Sequence, residues 1–228
     1  NFMEGLGSAS AVVWPKSLND GTYHGDWMTK AALKVDPSVK IVFVRYSNVT
    51  ASGSSANRPE SLVAAIDWVS KNSDKYSIDA LSISQAAVDT GNLSRCNTSS
   101  PNFDKVTTGA VSSLNTKNVP VFVATGNDRR RDVVGFPSCV NGVIGVGALG
   151  NATQLEAATN TGPGLDMVAP GKVRVTKYNG SPTDTAGSSV ATAVSAASYV
   201  NSNTFKTFGE YLASLPKILI GTASYIRN

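Results

Sequence analysis

Three side chains in this sequence have the types that acyl transfer needs, and they come in the order His24, Asn127, Ser189. A serine hydroxyl becomes a nucleophile when a neighbouring base takes its proton, and a neutral imidazole has a suitable proton affinity near pH 7. An asparagine amide can donate to the oxyanion of a tetrahedral intermediate, a contribution of roughly 3–4 kcal/mol in a protease where it was measured. Ser189 lies in Ala186-Gly187-Ser188-Ser189-Val190-Ala191-Thr192-Ala193, where a small-residue turn opens into an apolar run from Val190 to Val200. A serine at that junction sits on the first turn of a helix. There, free backbone N–H groups and the positive end of the helix dipole favour developing negative charge. Each residue also has a plainer role. Ser-Ser before an apolar run is an ordinary N-cap signal, His24 alone could simply open a surface helix, and Asn127 could turn the chain after Gly126.

The elements that must position these residues follow from hydrophobic patterning. Ala9 to Val13 reads as a short strand stopped by Trp14-Pro15. Trp27, Met28, Ala31, Ala32 and Leu33 predict a helix beginning near His24, which Asp36-Pro37 ends. Lys40 to Tyr46 is β-branched and almost continuously apolar, as a buried parallel strand should be. Leu62, Ile66 and Val69 give Pro59 to Asn72 a helical spacing. A strand over Ile78 to Ser84, a loop from Gln85 to Pro101 and a helix over Asp104 to Leu114 come next. Val119 to Thr125 then reads as a strand ending at Gly126-Asn127-Asp128. Val143 to Val146 and Leu165 to Val168 are short strands, followed by a hairpin region from Val173 to Thr183. After the Ser189 helix come a last helix, Phe205 to Ser214, and an apolar tail. Strands alternating with helices, with no linker, predict a doubly wound, mostly parallel α/β sheet flanked by helices, with residues 1–228 in one domain. Ligands bind such sheets outside the C-terminal ends of the strands, which is where Asn127 falls.

Composition sets limits. The chain has 228 residues, 41% hydrophobic and 16% charged, enough for one α/β domain with a large core. No apolar run approaches the ~20 residues that span a membrane, and no basic start precedes an apolar core, so no signal peptide is expected in this stretch; a trimmed chain would look the same. Net charge is +4, and its densest cluster, Arg129-Arg130-Arg131, is flanked by Asp128 and Asp132. Without a basic stripe and interleaved aromatics this is a solvated loop, and no nucleic-acid partner is expected. Cys96 and Cys139 lack CxxC spacing and the sequence has one His, so neither metal nor cofactor is expected. The two cysteines could pair.

From His24 to Tyr199 the chain resembles the subtilisin-like serine peptidases, the subtilases. His24-Gly25 resembles the start of that family's His-Gly-Thr-His helix, and Lys40 to Tyr46 the strand after it. Ser82-Ile83-Ser84-Gln85-Ala86 is similar to the Asn-Met-Ser-Leu-Gly strand that pairs with substrate, and Ala124-Thr125-Gly126-Asn127 to Ala-Ala-Gly-Asn, whose Asn is the oxyanion donor. Phe136-Pro137-Ser138-Cys139 with Val143 to Ala148 resembles the Tyr-Pro-Ala and Val-Ile-Ala-Val-Gly-Ala stretch, and Asp166 to Gly171 resembles Asp-Val-x-Ala-Pro-Gly. Gly187-Ser188-Ser189-Val190-Ala191 lines up with Gly-Thr-Ser-Met-Ala. The resemblance implies a secreted, extracellular endopeptidase with Ser189 as nucleophile, His24 as base and Asn127 as oxyanion donor. It further implies peptide contacts at Ser84, Gln85 and Ala86 and at Ala124, Thr125 and Gly126. A protein or peptide substrate is the implied partner, with a propeptide or inhibitor as a further one. In the family fold the Cys96 and Cys139 loops share a sheet edge, which implies a disulfide between them and an oxidising compartment.

The departures bear on activity. The family's aspartate ends the first strand, but here that strand stops at Trp14-Pro15 and no carboxylate follows. Asp20 and Asp26 flank His24; Asp20, in Asn-Asp-Gly, is expected to orient the imidazole, and Asp26 to serve the first helical turn. Trp27 stands where the family has a second His, and Ala193 where it has Pro. Three readings follow: an active endopeptidase, a catalytically inactive subtilase-like protein that binds or scaffolds, and an unrelated α/β domain.

Overall fold

In a computed structural model the described residues are 24–46, 48–49, 55–56, 59–86, 101–177, 180–202, 204–220 and 223–227. The expected strand Ala9 to Val13, Asp20 and Cys96 therefore lie outside the described residues. The elements in chain order are α1 (His24–Val35), β1 (Asn48–Val49), β2 (Ser55–Ala56), α2 (Pro59–Asn72), β3 (Leu81–Ile83), α3 (Pro101–Thr116), β4 (Val121–Ala124), β5 (Ile144–Leu149), β6 (Met167–Pro170), β7 (Lys172–Thr176), β8 (Pro182–Ala186), α4 (Ser188–Asn201), α5 (Phe208–Ser214), β9 (Lys217–Ile220) and β10 (Ala223–Arg227).

Among the described residues the main sheet runs β3-β4-β5-β6-β10-β9. Its first five strands pair in parallel, and only β9 joins antiparallel, through β10. Period-two alternation in β4, second in this order, builds a layer on each face. Val121 and Val123 of β4 pack with Leu62, Ile66 and Val69 of α2 and Val111 and Leu114 of α3. Phe122, between them and fully buried, packs with Val146, Met167 and the α4 alanines Ala191 and Ala196. Burying one such ring contributes about 2–3 kcal/mol. Helix α4 is built of small residues, so it lies close against the sheet on one side and against Met28 and Ala31 of α1 on the other. That places both helix starts of interest, His24 and Ser188, on two mutually packed helices.

Two expectations change. Lys40 to Tyr46 forms no regular strand among the described residues; only Val42 makes an isolated bridge. Its side chains nonetheless alternate like a strand: Val44 and Tyr46 pack into the α2–α3 layer, and the Phe43 ring lies against Gly25. The apolar tail is a hairpin. Its strand β10 pairs in parallel with β6, and Ile218, Ile220 and Tyr225 cover Val134, Leu149, Leu165 and Val168. The hairpin region is observed as β7–β8, with Val175 opposite Thr183.

Candidate active site

The site is built on the start of α4. Gly187 is its N-cap with φ +117°, a conformation that costs glycine little and other residues much. A Cβ on Gly187 would also stand 2.8 Å from Asn127 Oδ1 and 3.0 Å from Asn127 Nδ2. The turn is therefore glycine for two reasons, and the second brings the Asn127 amide against the helix start. There Asn127 Oδ1 accepts from the Ser188 backbone N–H at 2.9 Å and from Ser188 Oγ at 3.1 Å. Ser188 Oγ in turn accepts from Gly126 N at 3.2 Å. A backbone N–H can only donate, so the atom facing it must be the amide oxygen, and the amide orientation is fixed. Asn127 is exposed, and its NH₂ group has no partner among the described residues. Two donors are thus available to a ligand.

The loop carrying Asn127 is held from behind. Asn160, fully buried, accepts at Oδ1 from Asp128 N at 2.8 Å and Arg130 N at 3.1 Å. Its Nδ2 donates to Thr125 O at 3.2 Å and to Asp128 Oδ2 at 2.9 Å, and its backbone N–H donates to Gly126 O at 3.0 Å. Arg131 adds a second clamp through Thr159 O and Ala157 O. The arginine triplet, expected as a solvated loop, therefore has one member committed to structure.

Ser189 is half-buried. Its Oγ donates to Ser84 O at 3.2 Å, and Ser84 Oγ donates to Ser189 O at 2.9 Å. The exchange ties the end of β3 to the start of α4. Ile83 pairs with Val123, so the segments after β3 and β4 run side by side, and Ala86 Cβ lies 3.3 Å from where a Gly126 Cβ would be. Ser84 thus stands against Ser189 and Ala86 against Gly126, while Ala124 and Thr125, expected as peptide contacts, are fully buried. Among the described residues Gln85 Nε2 reaches the neighbouring Ala86 O, at 3.5 Å.

His24 opens α1 and is exposed as a residue, yet burial around its ring lowers its pKa. Being at a helix N-terminus acts in the same direction. The imidazole has no hydrogen-bond partner among the described residues, and the Ser189 hydroxyl is turned to Ser84 O instead. Asp26 pairs with Lys30 at 2.6 Å, and Lys30 Nζ also donates to Thr176 O, so the lysine that this carboxylate holds ties α1 to β7. Asp166 accepts from Gly145 N at 2.9 Å; burial raises its pKa and that N–H opposes the rise.

Residues 5–203 match the family described as the subtilase family. The chain belongs to that family. This subtilase is 30% identical over 152 residues to an extracellular serine proteinase of Thermus sp. (strain Rt41A), covering 65% of this chain and 32% of that one. It is 23% identical over 192 residues to subtilisin DY of Bacillus licheniformis, covering 79% of this chain and 61% of the relative. It therefore spans less than two thirds of the length of either. A solved cold-adapted subtilisin-like serine proteinase superposes with a TM-score of 0.57 at 25% identity, covering 74% of this chain and 56% of that one. A lanthipeptide protease gives a TM-score of 0.60 at 16% identity, over 82% and 65% of the two chains.

Sequence reasoning passed over two residues of this subtilase's site. Ser188 stands beside the expected nucleophile but holds the Asn127 oxygen. Asn160, in Thr159-Asn160-Thr161-Gly162, sits in a polar loop with no chemistry of its own. The one available signal was a turn-forming asparagine two residues before Gly162.

Proposed function

We propose that this subtilase is a serine endopeptidase acting on proteins or peptides, with Ser189 as nucleophile, His24 as general base and Asn127 as oxyanion donor. The observation that carries this is the Asn127 amide, whose oxygen is occupied by Ser188 so that its N–H groups remain as donors at the start of the Ser189 helix. An extended peptide pairs with Ser84–Ala86 and presents its carbonyl to Ser189 Oγ. The hydroxyl leaves Ser84 O and gives its proton to His24 as the new C–O bond forms. The oxyanion accepts from Asn127 Nδ2 and from the positive end of α4. The imidazolium then protonates the leaving amine as the C–N bond breaks, and a water deprotonated by His24 hydrolyses the acyl-enzyme. Asp20 is the orienting acid in this scheme, since Asp26 is committed to Lys30.

The remaining parts of the proposal are one domain over residues 1–228, secretion, and a Cys96–Cys139 bridge. A relative described as extracellular supports secretion. Cys139 is not a free thiol, and an unreduced digest is expected to yield the Cys96–Cys139 peptides linked. A propeptide or inhibitor would occupy the same Ser84–Ala86 rim. Among the described residues no helix is long and apolar enough to cross a membrane.

One observation favours a second reading, a subtilase that binds peptides without cleaving them: the Ser189 hydroxyl is turned to Ser84 O and the His24 ring has no partner among the described residues. A fluorophosphonate probe separates the two. The endopeptidase labels at Ser189, and the label is lost in Ser189→Ala. A folded wild type that does not label, and does not hydrolyse casein, is the inactive form.

A further inference from the structure

We infer that Asn160 is a positioning residue for catalysis, setting where the Asn127 amide stands; this rests on the endopeptidase reading above. Asn160 uses its whole side-chain amide within one loop. Oδ1 takes two backbone N–H groups, of Asp128 and Arg130, and Nδ2 gives to Thr125 O and the Asp128 carboxylate. Its own N–H holds Gly126 O. Residues on both sides of Asn127 are thereby tied to a single buried side chain, while Asn127 itself is exposed. On the far side its side-chain contacts among the described residues are those of its oxygen with Ser188. The donor is therefore located by two supports, one at its tip and one behind its backbone. Gly126, at φ +105°, is where the chain bends between them, and a Cβ there would collide with the Asn160 amide.

The arrangement is directed at one loop. A buried asparagine that merely filled space would be expected to satisfy itself with whichever neighbours were near. Here all four side-chain bonds and the backbone bond go to residues 125–130, across a sequence separation of 30 or more in each side-chain case. An oxyanion donor acts only at the position that the developing charge will occupy, so displacements of about 1 Å are expected to cost up to ~10²-fold in rate. Substrate binding along Ser84–Ala86 does not pass through Asn160, so its loss is expected in turnover rather than in KM.

The test is a double-mutant cycle on the full chain, with peptide hydrolysis, KM and thermal unfolding measured for each variant. Asn160→Ser is expected to lower kcat about 10- to 100-fold with KM within about 3-fold of wild type. In an Asn127→Ala background, adding Asn160→Ser is expected to change kcat less than about 3-fold, because the donor it positions is gone. If Asn160→Ser does not fold at 25 °C, Asp128→Ala removes one of the four side-chain partners and carries the same cycle, with a smaller first step and the same lack of additivity. Independent, multiplying losses, or losses confined to KM, overturn the inference and leave the endopeptidase standing. A folded wild type that neither hydrolyses peptide nor labels at Ser189 overturns both.

Discussion

The two halves of this site are held to different degrees. Around Asn127 the contacts are fixed on all but the NH₂ group: Ser188 N and Oγ on its oxygen, Gly126 N on Ser188 Oγ, and the Asn160 amide spent on the loop behind. At His24, the proposed base, the ring has no partner among the described residues, and the nearest described carboxylate in sequence, Asp26, is taken by Lys30. The contrast follows from where each group sits in the fold. Asn127 lies between β4 and the start of α4, both packed into the core, so backbone geometry fixes it. His24 starts a helix that is anchored further along, by Met28 and Ala31. Electrostatic stabilisation can be preorganised by such a scaffold, whereas a general base needs an orienting group of its own.

The most severe way to break this comparison is to remove that orienting group. Asp20→Asn is expected to lower peptide hydrolysis by about 10⁴-fold, the cost of losing imidazole orientation in a serine protease, with an unchanged unfolding midpoint. Asp26→Asn is expected to leave hydrolysis within about 3-fold and to cost under ~1 kcal/mol in stability, the usual worth of a part-exposed i,i+4 ion pair. If the two variants exchange these phenotypes, Asp26 is the acid and the base side is as firmly held as the other. Next in size, Asn127→Ala is expected to reduce kcat about 10²–10³-fold while KM holds, a magnitude measured on a subtilisin, a relative of this protein. A fall in KM-limited binding instead would make Asn127 a substrate contact.

The smallest effect is in pH dependence. Burial lowers the His24 pKa below its ordinary 6.5, so the neutral base persists to lower pH than a free imidazole. The acid limb of kcat/KM should accordingly lie below pH 6.5, and with Asp20 in its proposed orienting role Asp20→Asn moves it further down. For stability the sign is the same: the contribution is present above the ordinary pKa and lost as pH falls through the folded one, because protonating a shielded ring is costly. A wild-type limb above 6.5 would mean that a carboxylate outweighs burial at His24.

What the sequence made legible follows a physical line. The positions of Ser189 at a helix start and Asn127 after a strand were readable because local patterns place them: a small-residue turn before an apolar run, and a glycine bend after a β-branched strand. The α/β alternation was readable for the same reason, since β4 and α2 carry their periods in their own residues. Asn160 was not, because its role consists of bonds to residues 30 or more positions away and leaves no periodic trace. The β9–β10 hairpin looked like an apolar tail because a strand such as β10 shows no preference for β6 until the sheet exists. Lys40 to Tyr46 misled in the opposite sense. Its side-chain alternation is real, but a ladder needs a neighbouring backbone as well as a pattern.

The composition of α4 has a consequence for how this protein tolerates change. From Ser188 to Ala197 only Ser189 and Val194 are not buried, and no side chain there is larger than valine. Any enlargement meets the sheet or α1, at the roughly 1–3 kcal/mol that overpacking costs, and truncation has almost nothing to remove. Mutational robustness is therefore lowest along the helix that carries the serine. Heritable variation in what such a protein does must accumulate instead in the segments facing it, 84–86 and 127–130, where a side chain can grow toward solvent without moving the core.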